Sequence, residues 1–288
     1  MPIPLAGDPT WLGDLALNVI DDDGVEWTVT DNPGWPGSPG ATLTITQRQS
    51  DHGGYASGSW LTPRNLTLAV TIHAPTATAR EQAVEALKAA ASLSATALRV
   101  QDAAYDRTAT VRRQGETLVN RFGTDAEASM LLIASDPRLY SSTGYTGTCN
   151  LPSITGGLVL PVTAPFTISA VVASGAITVA NAGSIGSRPL LRITGPATTP
   201  VVTLQLPDGS IQQLTFNAAL GALDYLDLDC DRHTAILNGT PTASRRGLLT
   251  VTGGWPEIPP GSSCQLYFNA STYSSAATLS AAWSDAWE

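Results

Sequence analysis

The chain has 288 residues, of which 43% are hydrophobic and only 14% charged, with a formal net charge of −9. That length suits two domains of roughly 100–200 residues, and the apolar share excludes a disordered chain, which lacks enough hydrophobic surface to offset its ordering entropy. Fourteen arginines and one lysine, nowhere clustered beyond the pairs Arg112–Arg113 and Arg245–Arg246, leave no basic surface of the kind that binds nucleic acid.

The opening stretch "MPIPLAGDPTWLGDL" lacks the basic and apolar regions of a signal peptide, and no run approaches the ~20 apolar residues of a membrane helix. Neither export nor membrane partnership is expected. "LALNVIDDDGVEWTVT" reads as two strands around Asp22-Asp23-Gly24, because Asp-Gly supplies the positive φ of a tight hairpin. "DNPGWPGSPG" is a loop, "ATLTITQR" a strand, and "QSDHGGYASGS" a second glycine-rich loop. "WLTPRNLTLAVTIHA" places Leu66, Leu68, Val70 and Ile72 on one face at period two. One helix is expected, over about 78–92: Thr78 and Glu81 fit a capping box, and Val84, Leu87 and Ala91 form a stripe to lay on a sheet. Strands resume at "ALRVQD", "RTATVRR" and "ASMLLIAS" and close near "DPRLY".

Residues 1–140 thus read as a β-rich domain with one packed helix, and "SSTGYTGTCN", 141–150, as a small polar linker. Residues 151–288 show no helix. They carry short strands such as "FTISAVVA", "AITVAN", "PLLRITG", "PVVTLQL", "IQQLTF", "DYLDLDC", "HTAILNG", "LLTVTGG" and "CQLYFN", ending in "AATLSAAWSDAWE" with Leu279, Ala281 and Trp283 on one side. Many short strands punctuated by turns specify a two-sheet sandwich, so the chain as a whole is mainly β.

Chemistry is sparse. Three histidines, His52, His73 and His233, accompany no hydrolase elbow, zinc-binding helix or phosphate loop; no catalytic residue, cofactor or enzyme activity is expected. Cys149, Cys230 and Cys264 are odd in number and lack a C-x-x-C pair, as buried free thiols do. In "DYLDLDCDRH", Asp227, Asp229 and Asp231 share one strand face. They are weak candidates for a calcium site, since calcium usually takes its ligands from a wrapping loop, and the solvent face of a half-buried strand accounts for them better. The tryptophans Trp60, Trp255, Trp283 and Trp287 are expected in core or interface. Trp35 and Tyr55, both in glycine-rich loops, are the residues expected to stay accessible for interaction.

Four elements occur in order: "NAGSIGSRPLLRITG", "LPDGSIQQLTF", "DYLDLDCDRHTAILNG" and "WPEIPPGSSCQLYF". Their order and intervals resemble the C-terminal domain of distal tail proteins of long, non-contractile-tailed bacteriophages, with its "N-x-G … P-x-x-x-I-x-G" start, "D-x-L-x-L/I-D" strand, "N-G" turn and late "P-G-x-N". The first half fits too, and "SDPRLYS" is similar to the junction in tail proteins of phages that infect actinobacteria. Ser262 departs from the pattern, since the family often has Asn after the last Pro-Gly.

The resemblance implies a structural virion protein at the distal end of a tail, assembled in the host cytoplasm. Its N-terminal domains would form a ring, hexameric in the family, around the lumen through which the genome passes. Its C-terminal domains would be galectin-like sandwiches projecting outward. The implied partners are sister copies, the tail tube protein, and the tip or baseplate hub with its receptor-binding proteins. A carbohydrate-binding module or adhesin is the alternative reading of the sandwich and its tryptophans.

Overall fold

The computed structural model describes residues 2–155, 171–173 and 175–288. Two compact units emerge: Met1–Ser142 together with Trp287–Glu288, and Thr143–Ala286.

The first unit is one antiparallel sheet that curls into a half-barrel. Its strands run in the order Ile3–Pro4, Val19–Ile20, Glu26–Asp31, Arg64–His73, Asp125–Ala134, Asp106–Phe122, Thr96–Gln101, Thr10–Leu12 and Leu15–Leu17. Leu66, Leu68, Val70 and Ile72 all point inward and are buried, the expected consequence of period-two alternation. "LALNVI", read as one strand, is two. Leu15–Leu17 pairs with Thr10–Leu12 at one end of the sheet, and Val19–Ile20 pairs with Glu26–Asp31 toward the other. Asn18 makes the corner between them. Its φ is +57°, a left-handed conformation that Asn tolerates better than most residues. Its Nδ2 donates to the Asp8 carbonyl at 2.6 Å, and its Oδ1 accepts from the Val29 amide at 2.8 Å.

In the "DDDG" turn, Gly24 takes a φ of +76°, while Asp21 supplies the hydrogen bonds. One carboxylate oxygen accepts from the amides of Asp23 and Val25, and the other from the Trp27 indole. The hairpin expectation holds, with the loop anchored by Asp21.

The helix spans Ala77–Ala90 and buries Ala83, Val84 and Leu87. Its N-cap is Thr76, whose hydroxyl accepts from the Ala79 amide at 3.1 Å, which corrects the capping box expected at Thr78. Glu81 instead binds Arg80 at 2.6 Å and Arg121 at 3.2 Å.

"ATLTITQR" and "QSDHGGYASGS", read as a strand and a loop, form one ribbon. Ala41–Thr42 pairs with Trp60–Leu61, and Ile45–Gln47 with Gly54–Ala56. Both pairings obey ordinary antiparallel register. Of the glycines that disguised the second half, Gly53 sits in the turn with a φ of +88°, and a β-carbon on Gly54 would sit 2.6 Å from the Ile45 side chain.

The second unit is a sandwich of two five-stranded antiparallel sheets. One is ordered Tyr145–Asn150, Thr278–Trp283, Leu190–Thr194, Tyr225–Asp229, Thr234–Leu237. The other is ordered Ala176–Asn181, Ser262–Asn269, Val201–Gln205, Ile211–Phe216, Leu249–Thr252. Leu191, Ile193, Leu226, Leu228 and Leu279 from the first sheet share a core with Val179, Val202, Leu204, Leu214 and Phe268 from the second. A short 3-10 turn, Arg246–Leu248, is the helical element among this unit's described residues. Most of the expected strand "FTISAVVA" lies outside the described residues; its end, Val171–Ala173, pairs with Ser153–Thr155.

The stretch expected as a linker is mostly strand, because Tyr145–Asn150 pairs with Thr278–Trp283 at the sandwich edge. A separate short strand, Ala286–Trp287, follows, and it pairs with Leu139–Ser141; Trp287 itself belongs to the first unit.

The "NAGSIG" loop is held by Asn181, 1% exposed. Its Nδ2 donates to the carbonyls of Ile185 and Ile258, and its Oδ1 accepts from the amides of Gly183 and Ala286. Gly183 lies so near Ala286 that a β-carbon would sit 1.8 Å from its carbonyl oxygen. Only glycine fits there.

Candidate interaction surfaces

Arg64 occupies a position on the strand Arg64–His73 that alternation assigns to the core, and it is 1% exposed. Its Nη1 donates to the carbonyls of Gly34 at 2.7 Å, Gly37 at 2.6 Å and Trp35 at 3.4 Å, and its Nε to that of Pro137 at 2.9 Å. Burial, reinforced by the nearby Arg107 charge, pulls its pKa below the ordinary arginine value. One buried guanidinium thus folds the Pro-Gly loop down onto the sheet. Trp35 goes with it and is 6% exposed within the core, so the expectation that it stays accessible is corrected: the carbonyl cradle, not the loop's composition, decides its burial.

Tyr55 fares differently. It is 67% exposed on the ribbon, with the Arg48 guanidinium 5.0 Å from its ring centroid. Around it the same ribbon exposes Leu43, Ile45 and Trp60, the last at 75%. A two-stranded ribbon with four large hydrophobic side chains in water is unstable alone. Exposed apolar patches of this kind are where proteins commonly meet their partners.

A second surface lies along Asp106–Phe122. One edge of this strand pairs with Asp125–Ala134 across a bulge between Gln114 and Thr117. The other edge pairs with Thr96–Gln101 only as far as Val111. From Arg112 to Phe122 that edge has no strand partner among the described residues. Leu118 and Phe122 are exposed along it. The hairpin tip is anchored to the helix start, where Arg80 donates to the Gly123 carbonyl and Glu81 binds Arg121. The edge is therefore open, with its hairpin tip tied to the helix start.

The three aspartates of "DYLDLDCDRH" are brought to separate tasks. Asp227 makes a two-pronged bond with Arg192, at 2.6 and 3.0 Å. Asp229 accepts from the amides of Asp231 and Arg232. Asp231 binds Arg188 at 2.8 Å. No group of three potential metal ligands is found among the described residues. His73 pairs with Asp125 at 3.2 Å, His233 stacks on Trp255, and His52 sits in the exposed ribbon turn, so the histidines do not converge. Burial pushes the Cys149 thiol up to about 11 and raises those of Cys230 and Cys264, which disfavours thiolate chemistry at all three.

Three aromatic faces of the second unit that a sugar could stack on are engaged by other side chains, whereas Trp60 and Tyr55 of the first unit stay exposed. Trp255 stacks on His233 and has the Arg246 guanidinium 5.2 Å from its ring centroid, Trp283 stacks on Tyr145, and the Arg192 guanidinium lies over Tyr225. On the outer face of that sheet, a shallow trough of about 370 Å³ runs over Thr146, Thr148 and Ser280 beside Leu190. Sequence reading missed Arg64, Asn18 and the open edge. Only Arg64 left a signal, an arginine in phase with four core residues.

No family model matches the chain, and no curated protein matches it. Among solved structures it is similar to the SPP1 Dit (gp 19.1) protein, described as a paradigm of the hub adsorption apparatus in phages that infect Gram-positive bacteria. The TM-score is 0.57 at 14% identity, covering 97% of this chain and 99% of that one. Two structures of the phage P2 baseplate in its activated conformation, with Ca and with Sr, each give a TM-score of 0.46 at 10% identity. They cover 93% of this chain and 99% and 100% of theirs. From end to end, a half-barrel carrying one helix followed by a two-sheet sandwich, this chain has the fold of the SPP1 Dit protein.

Proposed function

We propose that the protein is a structural component of a bacteriophage tail, a hexameric ring hub that joins the tail tube to the tip or baseplate and anchors receptor-binding proteins. The observation that carries this reading is the likeness to SPP1 Dit over nearly the full length of both chains. The surfaces suit it. A closed ring needs a heterologous contact, in which one patch meets a different patch on the next copy. The open edge Arg112–Phe122 and the apolar ribbon around Trp60 are two such dissimilar patches. Edge strands pair readily with further strands, and the exposed Arg112–Phe122 edge supplies unpaired backbone groups for that purpose. On this reading the first unit builds the ring, the second unit projects from it, and the work is mechanical. An acidic chain with net charge −9 would also keep the genome from adhering to the channel.

Native mass spectrometry and negative-stain imaging of the full chain test the reading. The expected species is six copies of the 29.9 kDa chain in a ring, or the same ring at the tail end of virions. Changing Trp60→Asp together with Leu118→Lys should leave the monomer folded and abolish the ring. Solitary copies both in solution and in virions would sink the proposal.

A further inference from the structure

The chain contains one Asn-Gly pair, Asn238-Gly239. In a flexible peptide this dipeptide is chemically labile, because glycine has no side chain to shield its backbone nitrogen from the asparagine carboxamide. Here the pair forms a turn with φ of +52° at Asn238 and +64° at Gly239, and both residues are exposed. The carboxamide, however, is gripped at both ends. Its Oδ1 accepts from the Tyr225 amide at 2.9 Å, standing in for the backbone carbonyl that a continuing strand would offer there. Its Nδ2 donates to Asp224 Oδ1 at 2.9 Å, while Asp224 Oδ2 accepts from the Gly221 amide at 3.0 Å. The bonds from Asn238 and Gly221 hold the Asp224 carboxyl below its ordinary range. One asparagine thus ties its own turn to the turn Gly221–Asp224, which carries Leu223, 96% exposed.

We propose that Asn238 is a deamidation site gated by this clasp, and that its conversion releases the turn that presents Leu223. In the reaction the Gly239 nitrogen bonds to Asn238 Cγ, the Cγ–Nδ2 bond breaks, and Nδ2 leaves as ammonia with the proton that the Gly239 nitrogen gives up. Solvent water then opens the cyclic imide to aspartate or isoaspartate, with no change of oxidation state. Ring closure requires the carboxamide to leave both of its partners first, so the folded clasp slows it. Afterwards a carboxylate faces Asp224 where a donor stood, and two like charges at that distance do not re-form the tie. The inference stands apart from the ring reading, because every residue it uses lies in one copy of the second unit.

The test holds the full chain at mildly alkaline pH, folded and in urea, and follows conversion of the peptide containing Asn238 by mass spectrometry. Two hydrogen bonds, one of them to a charge, have to break before ring closure, so the folded chain should convert about ten-fold more slowly than the unfolded one, or slower still. Folded Asp224→Ala should convert faster than the folded parent, and Asp224→Asn takes its place if that variant does not fold. In calorimetry, Asn238→Asp should lower the melting transition of the second unit. The reciprocal pair Asp224→Asn/Asn238→Asp should recover most of that loss, because donor and acceptor have only changed places. Aspartate, like asparagine, tolerates the left-handed backbone, so the loss reads the charge and not the turn. Equal rates in the folded and unfolded chains, or no acceleration in the folded Asp224 variant, overturns the proposal. So does an Asn238→Asp chain as stable as the parent, or a reciprocal pair no more stable than Asn238→Asp alone.

Discussion

Arg64 shows how much of one loop depends on a single side chain. Four carbonyls, from Gly34, Trp35, Gly37 and Pro137, accept hydrogen bonds from its guanidinium. Hydrogen bonds from a charged donor are worth more than neutral ones, and carbonyls left bare inside a core cost their full desolvation. Arg64→Ala should therefore destabilise the first unit by about 3–5 kcal/mol, read as a lower urea midpoint. Arg64→Lys should recover little, because an ammonium is a point donor and cannot span four acceptors in a fork. The same variants should raise Trp35 fluorescence quenching by iodide, as the loop lifts from the sheet. A midpoint within experimental error of the parent chain would mean that the loop is held by Trp35 packing alone. Alternation marks Arg64 as a core position, since it keeps phase with Leu66 and Leu68, but it offers no way to see which carbonyls wait there. Those come from 27 to 73 residues away in the chain.

At the scale of elements, the sequence was most legible where a local rule decides the outcome. Val84, Leu87 and Ala91 face the sheet, and Leu226 and Leu228 alternate into the sandwich core, because side-chain period alone fixes those faces. It was least legible where the deciding partner is distant in sequence. The ribbon half around Tyr55 looks like a loop by composition and becomes a strand only through pairing with Ile45–Gln47. The segment after Ser142 looks like a linker until Thr278–Trp283 arrives to pair with it. The candidate surfaces follow the same division. Tyr55 was recognisable as exposed, whereas Trp35 was hidden by Arg64, and an unpaired edge has no sequence signature at all. The helix start separates two rules that act within three residues of each other. Thr76 sits in the extended conformation of a cap and accepts from Ala79, while Thr78 is already inside the first turn. Thr76→Ala should cost about 1 kcal/mol and Thr78→Ala less than half of that. Equal losses in thermal unfolding of the two variants would restore the capping box at Thr78.

Over the whole molecule, the chain leaves the first unit at Ser142, builds the sandwich, and returns its last two residues to where it began. That return is built from specific contacts. Trp287 packs against the first unit's core, its ring lies 5.4 Å from that of Tyr105, and its strand pairs with Leu139–Ser141. Arg107 lies 4.9 Å from the other ring in that pair, Tyr105, so the chain end completes a short stack of side chains. A half-buried tryptophan contributes roughly 1–2 kcal/mol through the area it removes from water. None of that stabilisation belongs to the sandwich, whose own core contains no residue beyond Trp283. Deleting Trp287–Glu288 should therefore lower the melting transition of the first unit and leave that of the second in place. At about 2–4 °C per kcal/mol for folding units of this general size, scanning calorimetry of the full-length and shortened chains resolves the difference, with the acrylamide accessibility of Trp27 and Trp283 reporting which unit melts in each step. Should both transitions fall together, the two units unfold as one cooperative body and the terminal strand couples them. Should neither move, the contacts of Trp287 contribute nothing to the stability of the first unit.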